Sequence, residues 1–185
     1  TAIERATDVV EQLRVFSGRE EYAAERIDLS SLVASLAGPV HAVVPEQVSV
    51  RLSLHSELPA IDGDVALLEL MVVCLVSNGA EAIADTGEMV LATGVENLDR
   101  QQIDALAPGT ALEPGPYVWL AVQDNGPGIA PEIRERIFEP FFSTKPMGTG
   151  LGMAICHSLV QQHGGNIAVR SDEGTIVEIR LPGYR

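Results

Sequence analysis

The sequence predicts an α+β domain: a two-layer α/β sandwich with a mixed sheet of about five strands packed on helices, preceded by one separate helix. Three observations lead there. Residues 48–55 alternate apolar and polar side chains, and further short β-rich runs stand at 89–95, 117–123, 166–170 and 175–181. Residues 65–84 are apolar nearly all round, which is the mark of a buried helix. Gly148, Gly150 and Gly152 then open a second apolar helix.

In chain order, Ile3, Ala6, Val10 and Leu13 repeat at helical spacing, so residues 1–17 form an amphipathic helix whose stripe needs a partner. Gly18 ends it, and the polar run 18–26 reads as a linker to a domain over 27–185. Asp28 caps a helix through Leu29, Leu32, Val33 and Leu36, disturbed by Gly38 and Pro39. Pro59 and Gly63 break the chain after the 48–55 strand, and Asp64 caps the long apolar helix. Residues 96–115 are an irregular excursion, with one short helical turn at 101–106, joining two antiparallel strands. The last two strands make a hairpin around Asp172, Glu173 and Gly174.

Twelve basic against 26 acidic residues leave a net charge of −14, so nucleic acid is not an expected partner. An anion must be held by a local pocket instead. No apolar run is expected to reach the roughly 20 residues of a membrane helix, which gives a cytoplasmic domain whose parent is free to be membrane-anchored. The chain begins at Thr1, as a fragment of a longer protein would. Cys74 and Cys156 each sit in an apolar helical pattern without metal-type spacing, and read as two buried thiols.

The residues that carry chemistry cluster late in the chain. The strand at 117–123 runs into Asp124, Asn125, Gly126, Pro127 and Gly128, a turn that lets backbone approach a ligand with one carboxylate at its edge. Read blandly, it is a tight surface turn. Unpaired amides at the Gly148–Gly150–Gly152 helix start form an anion site, with Lys145 before it as a point charge for phosphate. The bland alternatives are a hinge and a solvated lysine. Asn78, inside the apolar helix, needs a partner for its amide; a helix–helix hydrogen bond and a Mg²⁺ ligand both satisfy that need. Glu81, one turn on, is either second to a metal or an exposed charge at the helix end. Phe138, Phe141 and Phe142 are expected to anchor the intervening segment in the core. A carboxylate for a base and an amide nest for phosphates together suggest a nucleotide.

The order of these pieces resembles the catalytic, ATP-binding domain of sensor histidine kinases, a family sharing its superfamily with gyrase, a heat-shock chaperone and mismatch-repair ATPases. LVSNGAEAI looks like the asparagine box, DNGPGI the first glycine box, IFEPFFSTK the phenylalanine box, GTGLGMAI the second glycine box and EGTIVEIRLP the closing strand. The STKP-x-G-x-G-L-G run with QQHGG is most similar to the nitrogen-regulatory and oxygen-sensing type.

The resemblance implies roles. Asn78 would bind Mg²⁺, and Asp124 would accept a hydrogen bond from the adenine amino group, with Gly126 and Gly128 closing the base pocket and Thr175 near it. Lys145, with Gly148 and the amides of Gly150, Leu151 and Gly152, would hold the triphosphate under a lid over 143–149. Asn78 and Lys145 would then be the catalytic pair. Residues 1–17 look like the second helix of a dimerisation hairpin, whose acceptor histidine lies outside this chain; the implied partners are that hairpin in a homodimeric parent and a response regulator.

Two positions depart from the pattern. Cys74 replaces the usual Asn or Glu one turn before Asn78, which disfavours a gyrase-type hydrolase and opens the alternative of a nucleotide-binding regulatory module with weak or lost transfer. Gly79 replaces the usual Ala, at a helix cost of about 1 kcal/mol. A serine-directed kinase of the anti-sigma-factor type shares the same pocket and is a third reading.

Overall fold

The computed structural model describes residues 24–146 and 148–184. The helix expected over 1–17, and all but the end of the expected linker, lie outside the described residues.

The core is a five-stranded sheet in the order β2-β4-β5-β7-β6: β2 Val48–Ser53, β4 Gly87–Leu98, β5 Gly115–Asp124, β6 Asn166–Arg170 and β7 Thr175–Pro182. Only the β2–β4 pair is parallel; the other pairs are antiparallel. A parallel pair needs a crossover, and the chain uses it to lay the long helix α3, Val65–Ala82, across one face of the sheet. Helix α5, Gly152–Gln162, packs beside α3. Alternation along β5 sends Val118, Leu120 and Val122 to that face, where they join Leu68, Met71, Val72, Leu75 and Val76 of α3 and Ile155, Leu159 and Val160 of α5. The expected mixed sheet carrying helices is therefore the observed architecture.

By length and composition α3 passes for a membrane-crossing helix, contrary to the expectation above. Its apolar character is explained by the core, since Leu68, Met71, Val72 and Val76 have no solvent exposure.

Several boundaries move, for physical reasons. The supposed linker ends in a strand, β1 Glu25–Ile27, which pairs with β3 Ile61–Gly63 as a separate two-stranded sheet. Ile27 is buried opposite Ile61, and Arg26 meets Asp62 at 3.1 Å, so this strand is made by a partner more than thirty residues away. The helix after Asp28 becomes two, α1 Leu29–Ser35 and α2 Ala37–Val43. Asp28 caps the first, accepting from Ser31 N–H at 2.8 Å, while Pro39 falls in the first turn of the second, where its missing N–H costs no helical bond. The excursion after β4 contains α4, Arg100–Leu106, with a capping box between Asp99 and Gln102. Its Ile103 packs with Leu98 and Tyr117 in a second small cluster.

Candidate functional site

The C-terminal end of α3 lies where the end of β5, the start of α5 and the segment carrying Lys145 converge. Asp64 sets the helix going, accepting from Leu67 N–H at 3.2 Å, and four turns later Asn78, Gly79 and Glu81 emerge at this junction. Asn78 faces the start of α5: a Cβ built on Gly152 would stand 3.2 Å from Asn78 Nδ2. That Nδ2 is buried and finds no hydrogen-bond partner among the described residues. The helix–helix hydrogen bond offered by the bland reading is not made.

Gly79 turns toward β5. A Cβ there would lie 2.7 Å from Met89 Cε and 3.5 Å from Asp124 Oδ2, so the glycine that departs from the family pattern lets α3 sit close to the carboxylate. Asp124 itself is buried. Burial pushes its carboxyl above the ordinary carboxylate range, opposed by hydrogen bonds from Gly126 N–H and from Thr175, and by the positive charge of Lys145. Gly126 N–H donates to Asp124 Oδ1 at 2.9 Å, and Thr175 stands opposite Asp124 in the β5–β7 register.

Lys145 reaches across to α3. Its ammonium donates to Glu81 Oε2 at 2.6 Å and lies 3.5 Å from the Asn78 carbonyl oxygen. Gly148 N–H closes a turn on the Lys145 carbonyl at 3.1 Å. Gly150 has φ +67°, and a Cβ there would strike the Phe141 carbonyl carbon at 2.4 Å, so this turn requires glycine. Leu151 is buried and seats the start of α5 in the core; no side chain caps that helix, leaving its first-turn N–H groups to other acceptors.

Asn78, Lys145 and Gly152 thus lie together, as do Asp124, Gly126 and Thr175, and the face of α3 at Gly79 approaches Asp124 between the two groups. Gly128 lies farther along the turn, where its positive φ of +78° brings it against Ser171, and Gly148 and Gly150 shape the segment before α5.

Other positions correct or extend the sequence reading. Phe141 is not a core anchor: its backbone is left-handed at φ +67°, its N–H bonds to the Gly150 carbonyl at 2.9 Å, and the residue is 70% exposed. Phe138 does pack on the core, with its ring 5.2 Å from that of His157, and Phe142 lies 4.2 Å beneath the Arg136 guanidinium. Ser171 and Arg134 escaped the sequence reading. Ser171 Oγ accepts from Ile129 N–H at 2.6 Å and donates to the Gly174 carbonyl at 3.1 Å, while Arg134 bonds the carbonyls of Ile129 and Ser171. These two side chains tie the Asp124–Gly128 turn to the β6–β7 hairpin. The contacts that join the two segments, Ser171 with Ile129 and Arg134 with Ser171, span 42 and 37 positions, so no local pattern marks them. Asn125 accepts from Glu88 N–H at 2.9 Å, a strand-capping task rather than a ligand contact. Cys74 and Cys156 are both buried, Cys156 Sγ donates to the Met71 carbonyl at 3.7 Å, and the neighbouring Cys74 together with burial pushes the Cys156 thiol well above the ordinary range.

Residues 63–185 match the family described as histidine kinase-, DNA gyrase B- and HSP90-like ATPases. The chain belongs to this ATPase family. The nucleotide suited to a family of ATPases is ATP. Two curated relatives of this ATPase domain are sensor kinases. Sensor kinase CckA of Brucella abortus (strain 2308) is 31% identical over 96% of this chain and 19% of its own length. Sensor histidine kinase ZraS of Escherichia coli (strain K12) is 32% identical over 92% of this chain and 33% of its own length. The chain therefore spans about a fifth to a third of those proteins. Among solved structures, the mycobacterial sensor histidine kinase MprB matches with TM-score 0.67 and 25% identity, over 87% of this chain and 98% of that one.

Proposed function

We propose that this ATPase-family domain binds ATP with Mg²⁺ and presents the γ-phosphoryl group to a histidine on a dimerisation hairpin, as the kinase half of a two-component sensor. One observation carries the reading: the unpartnered buried amide of Asn78 sits beside Gly152, on the same helix end that Lys145 reaches. The Asn78 side chain suits a magnesium nucleotide at both of its polar atoms: its amide oxygen is a hard ligand for Mg²⁺, and its unpartnered Nδ2 is a donor for a phosphate oxygen. When bound, the ion would neutralise charge on the phosphate chain. Asn78 would hold it, Lys145 would orient the terminal phosphate, and the amides at Gly150 to Gly152 would accept the phosphate oxygens. Asp124, whose carboxylate form Gly126, Thr175 and Lys145 favour against the opposing effect of burial, would accept the adenine amino hydrogen. The nucleophile is the acceptor imidazole, so this domain needs no covalent intermediate of its own.

On this reading the parent is a homodimer, its partner is a response regulator, and this domain lies in the cytoplasm. The regulatory-module reading is motivated by Cys74, buried in the core where the family has Asn or Glu; the sensor-kinase relatives favour transfer over it.

Labelled ATP and a hairpin bearing the acceptor histidine, supplied in trans, test the reading. Wild type and Cys74→Ala should label the histidine, and Asn78→Ala should lower Mg²⁺-dependent transfer at least a hundredfold, the order expected when a charge-stabilising group is lost. Equal transfer by Asn78→Ala refutes the assignment. Nucleotide binding without any labelled histidine favours the regulatory module, and an acid-stable label favours a serine-directed kinase.

A further inference from the structure

Glu81 is not used by that reading, yet it is held at both oxygens. Oε1 accepts from Ser77 Oγ at 3.3 Å and Oε2 receives Lys145 Nζ at 2.6 Å. Ser77 and Glu81 lie one turn apart on α3, flanking Asn78, so the carboxylate is aimed at the lysine by its own helix rather than left free in solvent. The pair is only partly exposed on the lysine side, 35% against 54% for Glu81.

The charge balance that results is unusual for a polyphosphate site. Lys145 and Glu81 cancel, Asp124 lies nearby, and the chain as a whole carries −14. An anion entering here meets no net positive charge from the described site residues. Free ATP brings roughly four negative charges at neutral pH and its magnesium complex roughly two, and the electrostatic penalty scales with that charge.

We propose that Glu81 is a specificity-determining residue which, by neutralising Lys145, makes the cleft select metal-loaded nucleotide over the free polyanion. Lys145 then meets phosphate only when the divalent ion at Asn78 has already reduced the ligand's charge. The proposal rests on the ATP reading above. It gives Glu81 a role in discrimination, distinct from the transfer step.

The test is the ratio of two affinities, read by titration of the domain with ATP in excess Mg²⁺ and in excess chelator. Removing one negative charge in Glu81→Gln favours both ligands, but the doubly larger charge responds with the square. If the magnesium complex binds about threefold tighter, free ATP binds about ninefold tighter, and dependence on Mg²⁺ falls about threefold. Glu81→Asp, which keeps the charge, should retain a ratio close to wild type. Lys145→Met should shift the ratio the other way, since it removes the cation and leaves the carboxylate. Equal ratios in wild type and Glu81→Gln overturn the proposal while leaving ATP binding in place. A wild-type domain that binds ATP in neither condition removes the ATP reading itself, and this proposal with it.

Discussion

The surroundings of Asp124 resist a charge on its carboxyl. Burial is the largest influence on its carboxyl and raises its pKa above the unfolded value; Gly126, Thr175 and Lys145 oppose the shift without cancelling it. A carboxyl raised in the fold binds its proton more readily there than in the unfolded chain. Between the ordinary carboxylate pKa and the raised one, the folded state therefore carries more protons, and stability falls as pH rises through that window. Asp124→Asn removes this dependence. Denaturant titrations from about pH 4 to about pH 8 should show the variant gaining on wild type as pH rises, and a constant difference would contradict the raised pKa. Nucleotide affinity should run the other way. The protonated acid is a poorer acceptor, so adenine binding should weaken on acidification through the same window in which the free domain becomes relatively more stable.

At the level of elements, the Asp124–Gly128 turn owes its position to a neighbour rather than to its own glycines. Ser171 is buried, with one hydroxyl serving Ile129 N–H and the Gly174 carbonyl together. Ser171→Ala leaves both without that partner, and the cost should be about 2 kcal/mol by chemical denaturation, with weaker ATP binding because the base side of the cleft loosens. A variant as stable as wild type would show that the turn is held by Arg134 alone. This tie also marks the limit of what the sequence discloses. Of the candidate site residues, the fold sets Asn78 beside Gly152 and within reach of Lys145. Alternation and apolar runs located all five main strands, α3 and α5. Those signals are local. Strands β1 and β3 are three residues each and exist by pairing with one another, so neither has a periodicity to read. The Ser171 and Arg134 contacts, the Cys74–Cys156 pair and the outward turn of Phe141 depend on which segments the fold brings together. Even Gly79, an apparent flaw in a helix, makes sense only beside Asp124.

For the molecule as a whole, the governing quantity is charge. On the proposed reading a chain of net charge −14 captures a polyanion, at a site whose lysine is paired with Glu81 and whose helix start has no side-chain cap. Long-range electrostatics should therefore oppose the encounter, while the contacts made after it are short-ranged and less sensitive to salt. A nucleotide-binding protein with a broad basic surface loses association rate as ionic strength rises. This domain should do the reverse. Stopped-flow measurements with a fluorescent ATP analogue and constant free Mg²⁺ should give an association rate that rises about two- to threefold between about 10 mM and about 150 mM salt, as the Debye length shrinks from roughly 30 Å to roughly 8 Å. The dissociation rate should change less, because it reports the local bonds of Asn78, Lys145 and Asp124. An association rate that falls steeply with salt would mean that a positive field outside this cleft guides the nucleotide, and that the acidic balance of the chain is not what the ligand meets.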